Sequence, residues 1–126
     1  MKVAVVDPDR ATYDSIANEL DAVRWFPDAE SFLAELDRGD HPQAIVAEAR
    51  LPGADGVALI GALRERGCAA PVVIVCENAD VSTAVRAIRN GAADFLEKPL
   101  FGAALASCLR RLGPPGIANP RKSRIV

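Results

Sequence analysis

Short apolar runs alternate with amphipathic stretches along most of the chain. The apolar runs, which are rich in β-branched residues, predict strands. They cover residues 2–7, 22–26, 44–48, 71–76 and 93–96. Apolar positions three or four residues apart predict a helix after each strand. The predicted helices cover residues 13–20, 29–36, 57–66, 81–88 and 101–112, and Asn90 with Gly91 should end the fourth as a left-handed cap.

Five strand and helix units predict one α/β domain, in which helices cover both faces of a parallel sheet through right-handed crossovers. The run 71–76, PVVIVC, shows no alternation and should form a central strand, because such runs are buried on both faces in a parallel sheet. The domain is predicted to span residues 1–112. Residues 113–126, GPPGIANPRKSRIV, have three prolines and no apolar period, which is typical of a linker or flexible tail to a possible output domain.

The composition favours a cytoplasmic globular protein. The 126 residues suit a single core, and half of them are hydrophobic while a quarter are charged. No apolar run approaches the roughly 20 residues of a membrane span, and the N-terminus lacks a signal-peptide pattern. Three cysteines without a CxxC pair favour reduced thiols, and the single histidine excludes a metal site built on several imidazoles.

Charge is unevenly distributed along the chain. The net charge is -2, but Arg121, Lys122 and Arg124 lie in the tail, which contains no acid, so the preceding part is more acidic than the total suggests. Proteins that bind nucleic acid through its phosphates present a basic face. Direct nucleic-acid binding by residues 1–112 is therefore not expected.

Polar residues end several predicted strands at one edge of the sheet. Asp7 ends the first strand, Glu48 ends the third, Cys76 and Glu77 end the fourth, and Lys98 follows the fifth. In open α/β sheets, functional sites form outside the carboxyl ends of the strands. Each residue alone is more often a solvated loop group, but together they predict that two carboxylates and one ammonium group converge at this edge.

These residues lie in four motifs, VVDPD, EARLPGADG, PVVIVCE and NGAADFLEKPL, which resemble the receiver domains of bacterial two-component response regulators. The resemblance covers residues 1 to about 112 and implies a flavodoxin-like fold with five helices and strand order 2-1-3-4-5. In that family an Asp at the end of the third strand accepts a phosphoryl group, and Mg²⁺ is held by it and by an acid pair after the first strand. A Thr or Ser after the fourth strand and the Lys bond the phosphoryl oxygens, while an aromatic residue of the fifth strand acts as a switch.

The resemblance is incomplete when it is carried over position by position. Asp7 and Lys98 match, and Phe95 is an accepted variant of the switch aromatic. Four positions depart from the family pattern: the acceptor, the second acid, the hydroxyl and the small residue beside it. These positions hold Glu48, Pro8, Cys76 and Glu77.

The departures predict a pocket that no longer uses Mg²⁺ or transfers a phosphoryl group. Pro8 offers no side-chain oxygen to Mg²⁺, which needs near-octahedral oxygen ligands. Glu48 places its carboxylate one methylene further out, and an error of about 1 Å in position can cost about 100-fold in rate. The thiol of Cys76 is a weaker hydrogen-bond donor than a hydroxyl.

The resulting prediction is a pseudo-receiver without a cofactor. Glu48 then either partly mimics the activated state by reaching Lys98 or forms only a structural ion pair with it. The alternative is a functional phosphoacceptor receiver, phosphorylated by a histidine kinase with Mg²⁺. Flavodoxin-like cofactor binding is disfavoured, because the loop DPDRAT is acidic and lacks the Gly or hydroxyl cluster that holds a phosphate.

The leading functional hypothesis is a signalling module that binds a protein partner, or a second copy of itself as a homodimer. The expected surface is formed by the fourth helix, the fifth strand and the fifth helix, which serve dimerisation and output contacts in the family, where the output is usually transcription. The candidate contact residues are Arg86, Arg89, Phe101 and Arg110. Asp9 and Asp55 are predicted to cap the first and third helices rather than to join the pocket.

Overall fold

The computed structural model describes residues 1–112, so the predicted tail 113–126 lies outside the described residues. Five strands form one parallel sheet. They are β1 (Lys2–Val6), β2 (Ala22–Phe26), β3 (Ala44–Glu48), β4 (Val72–Cys76) and β5 (Asp94–Glu97). Their order across the sheet is β2-β1-β3-β4-β5, which confirms the predicted flavodoxin-like order.

Five helices connect and follow the strands. They are α1 (Arg10–Ile16), α2 (Ala29–Asp37), α3 (Gly56–Glu65), α4 (Val81–Arg89) and α5 (Gly102–Leu112). No helix within residues 1–112 is long and apolar enough to cross a bilayer.

The first helix begins after its predicted cap, Asp9, but it ends earlier than its apolar period predicted. The helix starts three residues before the apolar period, because Asp9 caps it by accepting a hydrogen bond from the Ala11 amide. It ends at Ile16 rather than at residue 20, since the amides of Glu19 and Leu20 both bond to the Ile16 carbonyl and turn the chain toward β2.

Aspartate side chains start the other connecting helices as well. Asp28, Asp55 and Asp80 each accept a backbone N–H from the first turn of α2, α3 and α4. An N-cap of this kind satisfies one of the donors that a helix start leaves without a partner. At the other end of α4, Gly91 adopts a φ of 99° and confirms the predicted left-handed cap.

The sheet separates two apolar layers. Successive side chains of a strand point to opposite faces, so Val3 and Val5 of β1 join one layer while Ala4 and Val6 join the other. The first layer is closed by α1 and α5, and the second by α2, α3 and α4. Burial on both faces explains why β3 and β4 read as unbroken apolar runs.

The fourth helix is the exception to this packing. Its only fully buried residue is Ala87. The apolar positions that predicted the helix are largely on the surface: Val81 is 79% exposed, Val85 41% and Ile88 51%. The periodicity therefore identified the helix correctly, but much of its apolar side faces outward.

Candidate functional site

The register of the sheet brings the predicted polar residues to one edge. Val6 pairs with Ala47, and Glu48 pairs with Val75. Cys76 at the end of β4 pairs with Glu97 at the end of β5. Asp7, Glu48 and Lys98 therefore lie at the carboxyl ends of β1, β3 and β5, and β4 separates the last two strands. The two carboxylates and the ammonium group converge at this edge, as predicted.

Lys98 lies between the two carboxylates. Its Nζ is 2.8 Å from Asp7 Oδ2 and 2.8 Å from Glu48 Oε2. Burial lowers the pKa of Lys98, but the contacts with Asp7 and Glu48 more than compensate, so that the pKa is raised above the ordinary lysine value. The ammonium group is accordingly charged at neutral pH.

Asp7 is fully buried and has three partners. Its Oδ1 accepts the Asp9 amide at 2.8 Å, and its Oδ2 accepts the Thr12 hydroxyl at 2.7 Å besides facing Lys98. Thr12 was missed in the sequence analysis. The available signal was a hydroxyl residue on the inward side of α1, five residues after the acid, but one threonine without a pattern does not indicate a role.

Glu48 is buried and links two parts of the site. Its Oε1 accepts the Arg50 amide at 3.3 Å, while Oε2 faces Lys98 and accepts no hydrogen bond from the other residues of the 1–112 region. Arg50 belongs to a short hairpin, Arg50–Leu51 paired with Ala54–Asp55, which the sequence pattern did not predict. The predicted contact between Glu48 and Lys98 is therefore present, with Asp7 as a third member.

Gly56 is a second residue of the site that no sequence pattern indicated. A Cβ atom at this position would lie 1.9 Å from the Glu48 carbonyl oxygen. Only glycine lets the first turn of α3 approach the Glu48 peptide this closely. Gly56 also donates its amide to Ala49 at 2.9 Å, which fixes the hairpin against the end of β3.

The position that carries a hydroxyl in the family pattern holds a buried thiol. Cys76 Sγ lies 3.2 Å from the Glu77 carbonyl oxygen and donates to it. Burial raises the pKa of the Cys76 thiol, and the charge of Glu48 raises it further, so the group is a neutral thiol. Glu77 and Pro8 are both exposed, and within residues 1–112 neither side chain forms a hydrogen bond or ion pair with the three charged groups. Glu77 lines the same cavity as Lys98.

Phe95 in the switch position is partly buried. It packs against the apolar layer formed with α2, α3 and α4. Its backbone is held in the sheet opposite Ile74. In this arrangement Phe95 contributes a partly buried aromatic side chain at the border of that layer.

Trp25 connects the pocket to the neighbouring edge strand. Its Nε1 donates to the Asp7 carbonyl oxygen at 2.7 Å, and the guanidinium of Arg10 lies 5.6 Å from its ring centroid. It is the only tryptophan in the chain. We therefore expect its fluorescence to respond to changes in the main chain at Asp7.

The four candidate contact residues have different environments. Arg86 forms an ion pair with Asp55, and Arg110 donates to the Glu19 carbonyl oxygen at 2.7 Å. Arg89 is exposed, and Phe101 is 78% exposed. All four residues are therefore exposed, and two of them, Arg86 and Arg110, also have polar partners within the domain.

The fold and the pocket together define a class of protein, the α/β receiver domains with an acid after β1, a carboxylate ending β3 and a lysine after β5. The sequence model of the family described as "Response regulator receiver domain" matches residues 3–110. The chain therefore belongs to the response regulator receiver domain family.

Named relatives agree with this membership. The chain is 38% identical over 117 residues to the transcriptional regulatory protein FixJ of Azorhizobium caulinodans, covering 87% of this chain and 54% of that protein. It is 43% identical over 113 residues to the C4-dicarboxylate transport transcriptional regulatory protein DctD of Pseudomonas aeruginosa, covering 87% and 24%. A crystal structure of FixJ-N, 29% identical, matches with a TM-score of 0.78 over 93% of this chain and 96% of that one. The chain spans about half or less of the length of these curated relatives.

Proposed function

We propose that this chain is a pseudo-receiver, a signalling domain that acts through protein contacts and does not depend on phosphorylation or Mg²⁺. The observation that carries the proposal is the ion pair between Glu48, at the acceptor position, and Lys98. In this arrangement a carboxylate of the protein itself contacts the lysine that would otherwise bind a phosphoryl oxygen.

The partners of Asp7 support independence from Mg²⁺. Two hydrogen bonds and the Lys98 contact already surround this carboxylate. Mg²⁺ requires oxygen ligands at about 2.0 to 2.1 Å in near-octahedral geometry. To bind here it would have to displace Lys98 or the Asp9 amide, and Pro8 supplies no replacement oxygen. The residues present do not fit the metal, so no step of the proposed function involves it.

The environment of Glu48 supports the loss of phosphoryl transfer. A carboxylate paired with a lysine is a weakened nucleophile, and the longer side chain is displaced from the position that an aspartate would take. Transfer also depends on electrostatic stabilisation of the phosphoryl oxygens. The neutral thiol of Cys76, which already donates to the Glu77 carbonyl, contributes little to such stabilisation.

Phosphorylation can be tested with labelled acetyl phosphate and Mg²⁺. We expect no incorporation into the wild-type chain, and no change of Trp25 fluorescence on addition of beryllofluoride. The matched control is the double variant Pro8→Asp/Glu48→Asp, which restores the two acids and should gain both responses. A stoichiometric, acid-stable and base-labile label on Glu48 of the wild-type chain would overturn the proposal.

We further propose that the contact surface consists of α4, β5 and the start of α5. Contiguous exposed apolar side chains are a sign of a binding surface. Val81, Val85 and Ile88 of α4 are exposed, as is Phe101, and the basic residues Arg86 and Arg89 border the α4 residues. The partner is a protein, and a second copy of the chain is the first candidate.

Self-association through this surface can be measured by sedimentation over a range of protein concentrations. We expect a concentration-dependent dimer that the double variant Val85→Asp/Ile88→Asp abolishes. Ala69→Asp, a substitution at an exposed position in the loop before β4, serves as the control and should leave the dimer intact. A monomer at all concentrations would contradict the proposed homodimer. Retention of the dimer in the double variant would show that this surface is not the dimer interface.

The output is proposed to be transcription. FixJ and DctD, the relatives named above, are transcriptional regulatory proteins by description, although the chain matches only part of each. Transcript profiles of cells that carry the wild-type protein or its Val85→Asp/Ile88→Asp variant should differ at a defined set of genes. Identical profiles would argue against this output.

A further inference from the structure

The hairpin that follows Glu48 makes a direct contact with α4. Arg50, whose amide bonds Glu48 Oε1, pairs in the hairpin with Asp55. The carboxylate of Asp55 has two functions: its Oδ1 caps α3 through Val57 at 2.8 Å, and its Oδ2 forms an ion pair with Arg86 of α4. A continuous set of contacts thus leads from the acceptor position to the exposed helix.

The contact between Asp55 and Arg86 is one of few that hold α4 in place. Apart from Ala87, no residue of α4 is fully buried, so few core contacts fix the rotation and position of the helix. Arg86 is adjacent to Ala87 and borders the same surface groove as Val81, Val85 and Arg89. Any movement of Arg86 relative to Asp55 therefore changes the surface that α4 presents.

The state of Asp55 agrees with a formed ion pair. Partial burial raises the pKa of this carboxyl, but the hydrogen bond from Arg86 and those from the first turn of α3 lower it more, and the net shift is downward. Asp55 is accordingly ionised at neutral pH. A second contact holds the loop before α4, where the Ala79 amide donates to Glu97 at 3.0 Å.

We propose that Asp55 and Arg86 are a positioning pair that couples the Glu48 pocket to the α4 surface. The proposal rests on the proposed function in one respect, because it takes α4 as part of the contact surface. It differs from the route through a switch aromatic, since it uses the loop after β3 and needs neither Cys76 nor Phe95. Both side chains are about half exposed, and exposed ion pairs contribute little free energy. We therefore expect the pair to change the ratio of packed to displaced α4 about two- to fivefold, which is less than an all-or-none switch.

The coupling can be tested by NMR on the 126-residue chain. Glu48→Gln should shift the amide resonances of α4 in the parent protein. In the Arg86→Gln background this shift should fall by more than half, whereas in the Arg89→Gln background it should persist. Arg89 is the matched control because it is a neighbouring exposed arginine of α4 for which residues 1–112 provide no ion-pair partner. Equal shifts in all three backgrounds, or no α4 shift in the parent, would overturn the proposal.

Hydrogen exchange provides a second measurement that does not depend on the Glu48 variant. Asp55→Asn removes the charge but keeps a good N-cap, so α3 should stay protected while the α4 amides exchange about two- to fivefold faster. Arg86→Gln should have the same effect, and the double variant should add nothing to it. If the accelerations caused by Asp55→Asn and Arg86→Gln add in the double variant, the two residues act independently. An equal acceleration by Arg89→Gln would show that the effect is not specific to the Asp55–Arg86 pair. Labelling of Glu48 by acetyl phosphate would refute the proposed function alone, because the NMR and exchange comparisons still decide the coupling.

Discussion

Lys98 differs from an exposed lysine in that two buried carboxylates share it. Asp7 is fully buried, the Glu48 side chain is 10% exposed, and each carboxylate lies 2.8 Å from the same Nζ. A buried charge is tolerated only when it is paired and hydrogen-bonded. The hydrogen bonds of Asp7 supply part of this stabilisation, but Glu48 Oε2 depends on Lys98. The lysine is therefore the residue whose loss the pocket can least compensate.

Replacement of the lysine by methionine should destabilise the fold strongly. Lys98→Met leaves two buried carboxylates without a cation, and breaking a buried ion pair costs about 3 to 5 kcal/mol. The double variant Glu48→Gln/Lys98→Met should recover more than half of the loss, because only Asp7 remains charged and it keeps its two hydrogen bonds. Urea unfolding of the three proteins measures both values. A loss below about 1 kcal/mol in Lys98→Met, the range of a surface pair, would contradict the buried network.

The raised pKa of Lys98 predicts a specific dependence of stability on pH. Burial acts to lower this pKa, but Asp7 and Glu48 raise it above the lysine value of 10.5. A lysine whose folded pKa exceeds its unfolded pKa contributes stability that is complete below the unfolded pKa and is lost as the pH rises through the folded pKa. The contribution should thus persist through neutral and mildly alkaline pH and decline above about pH 10. The difference in unfolding free energy between the wild type and the Glu48→Gln/Lys98→Met variant, measured from pH 7 to 11, tests this expectation, and a decline centred below about pH 9 would contradict it.

At the scale of elements, the site depends on how closely α3 approaches the end of β3. The hairpin between them spans only Arg50 to Asp55, and Gly56 begins the helix directly beside the Glu48 carbonyl. Asp55 caps this helix and also contacts α4. Three elements therefore meet within a few residues of the acceptor position, and a side chain at Gly56 would separate them.

A pair of glycines in the same helix tests this packing. Gly56→Ala places a Cβ against the Glu48 backbone and should destabilise the fold by about 1 to 3 kcal/mol, the usual range for an overpacked core position. Gly61→Ala, also in α3, meets nothing within 4 Å and should stabilise the fold by about 0.5 to 1 kcal/mol through helix propensity. Thermal unfolding of the two variants separates the effects. Stabilisation by both variants would show that α3 is not held tightly against β3.

The elements that were predicted from sequence are those with a regular pattern. All five strands and all five helices are recognisable from apolar periodicity, because a core must bury one stripe of each helix and both faces of each central strand. The hairpin at Arg50 to Asp55 was missed, since two-residue strands carry no period. The outward orientation of α4 was missed as well, because periodicity identifies an apolar side without indicating what covers it. At the site, the positions of Asp7, Glu48 and Lys98 followed from the strand ends, whereas Thr12 and Gly56 depend on three-dimensional contacts.

At the scale of the whole molecule, the sheet assembles a charge cluster from residues far apart in sequence. Asp7 follows β1, Glu48 ends β3 and Lys98 follows β5, and the register of three parallel pairings brings them together. The cluster carries two negative charges and one positive charge, which is one acid fewer than the family pattern provides. Less negative charge remains for a cation to neutralise. The stability of the folded protein should therefore be insensitive to divalent metal.

Thermal unfolding with and without Mg²⁺ tests this property on the intact fold. A ligand that binds only the folded state stabilises it according to its concentration relative to Kd, by about 1.4 kcal/mol at tenfold excess over Kd. For a domain of this size, that corresponds to a rise in Tm of about 3 to 6 °C. We expect no rise for the wild type in about 10 mM Mg²⁺ and a rise in this range for Pro8→Asp/Glu48→Asp, in which Mg²⁺ regains two oxygen ligands. Sodium chloride at the same ionic strength controls for screening. The contradicting outcome is a rise in the Tm of the wild type in Mg²⁺ that Asp7→Asn abolishes. Asp7 would then exchange its present partners for the metal, and the pocket would bind Mg²⁺ as a working receiver site does.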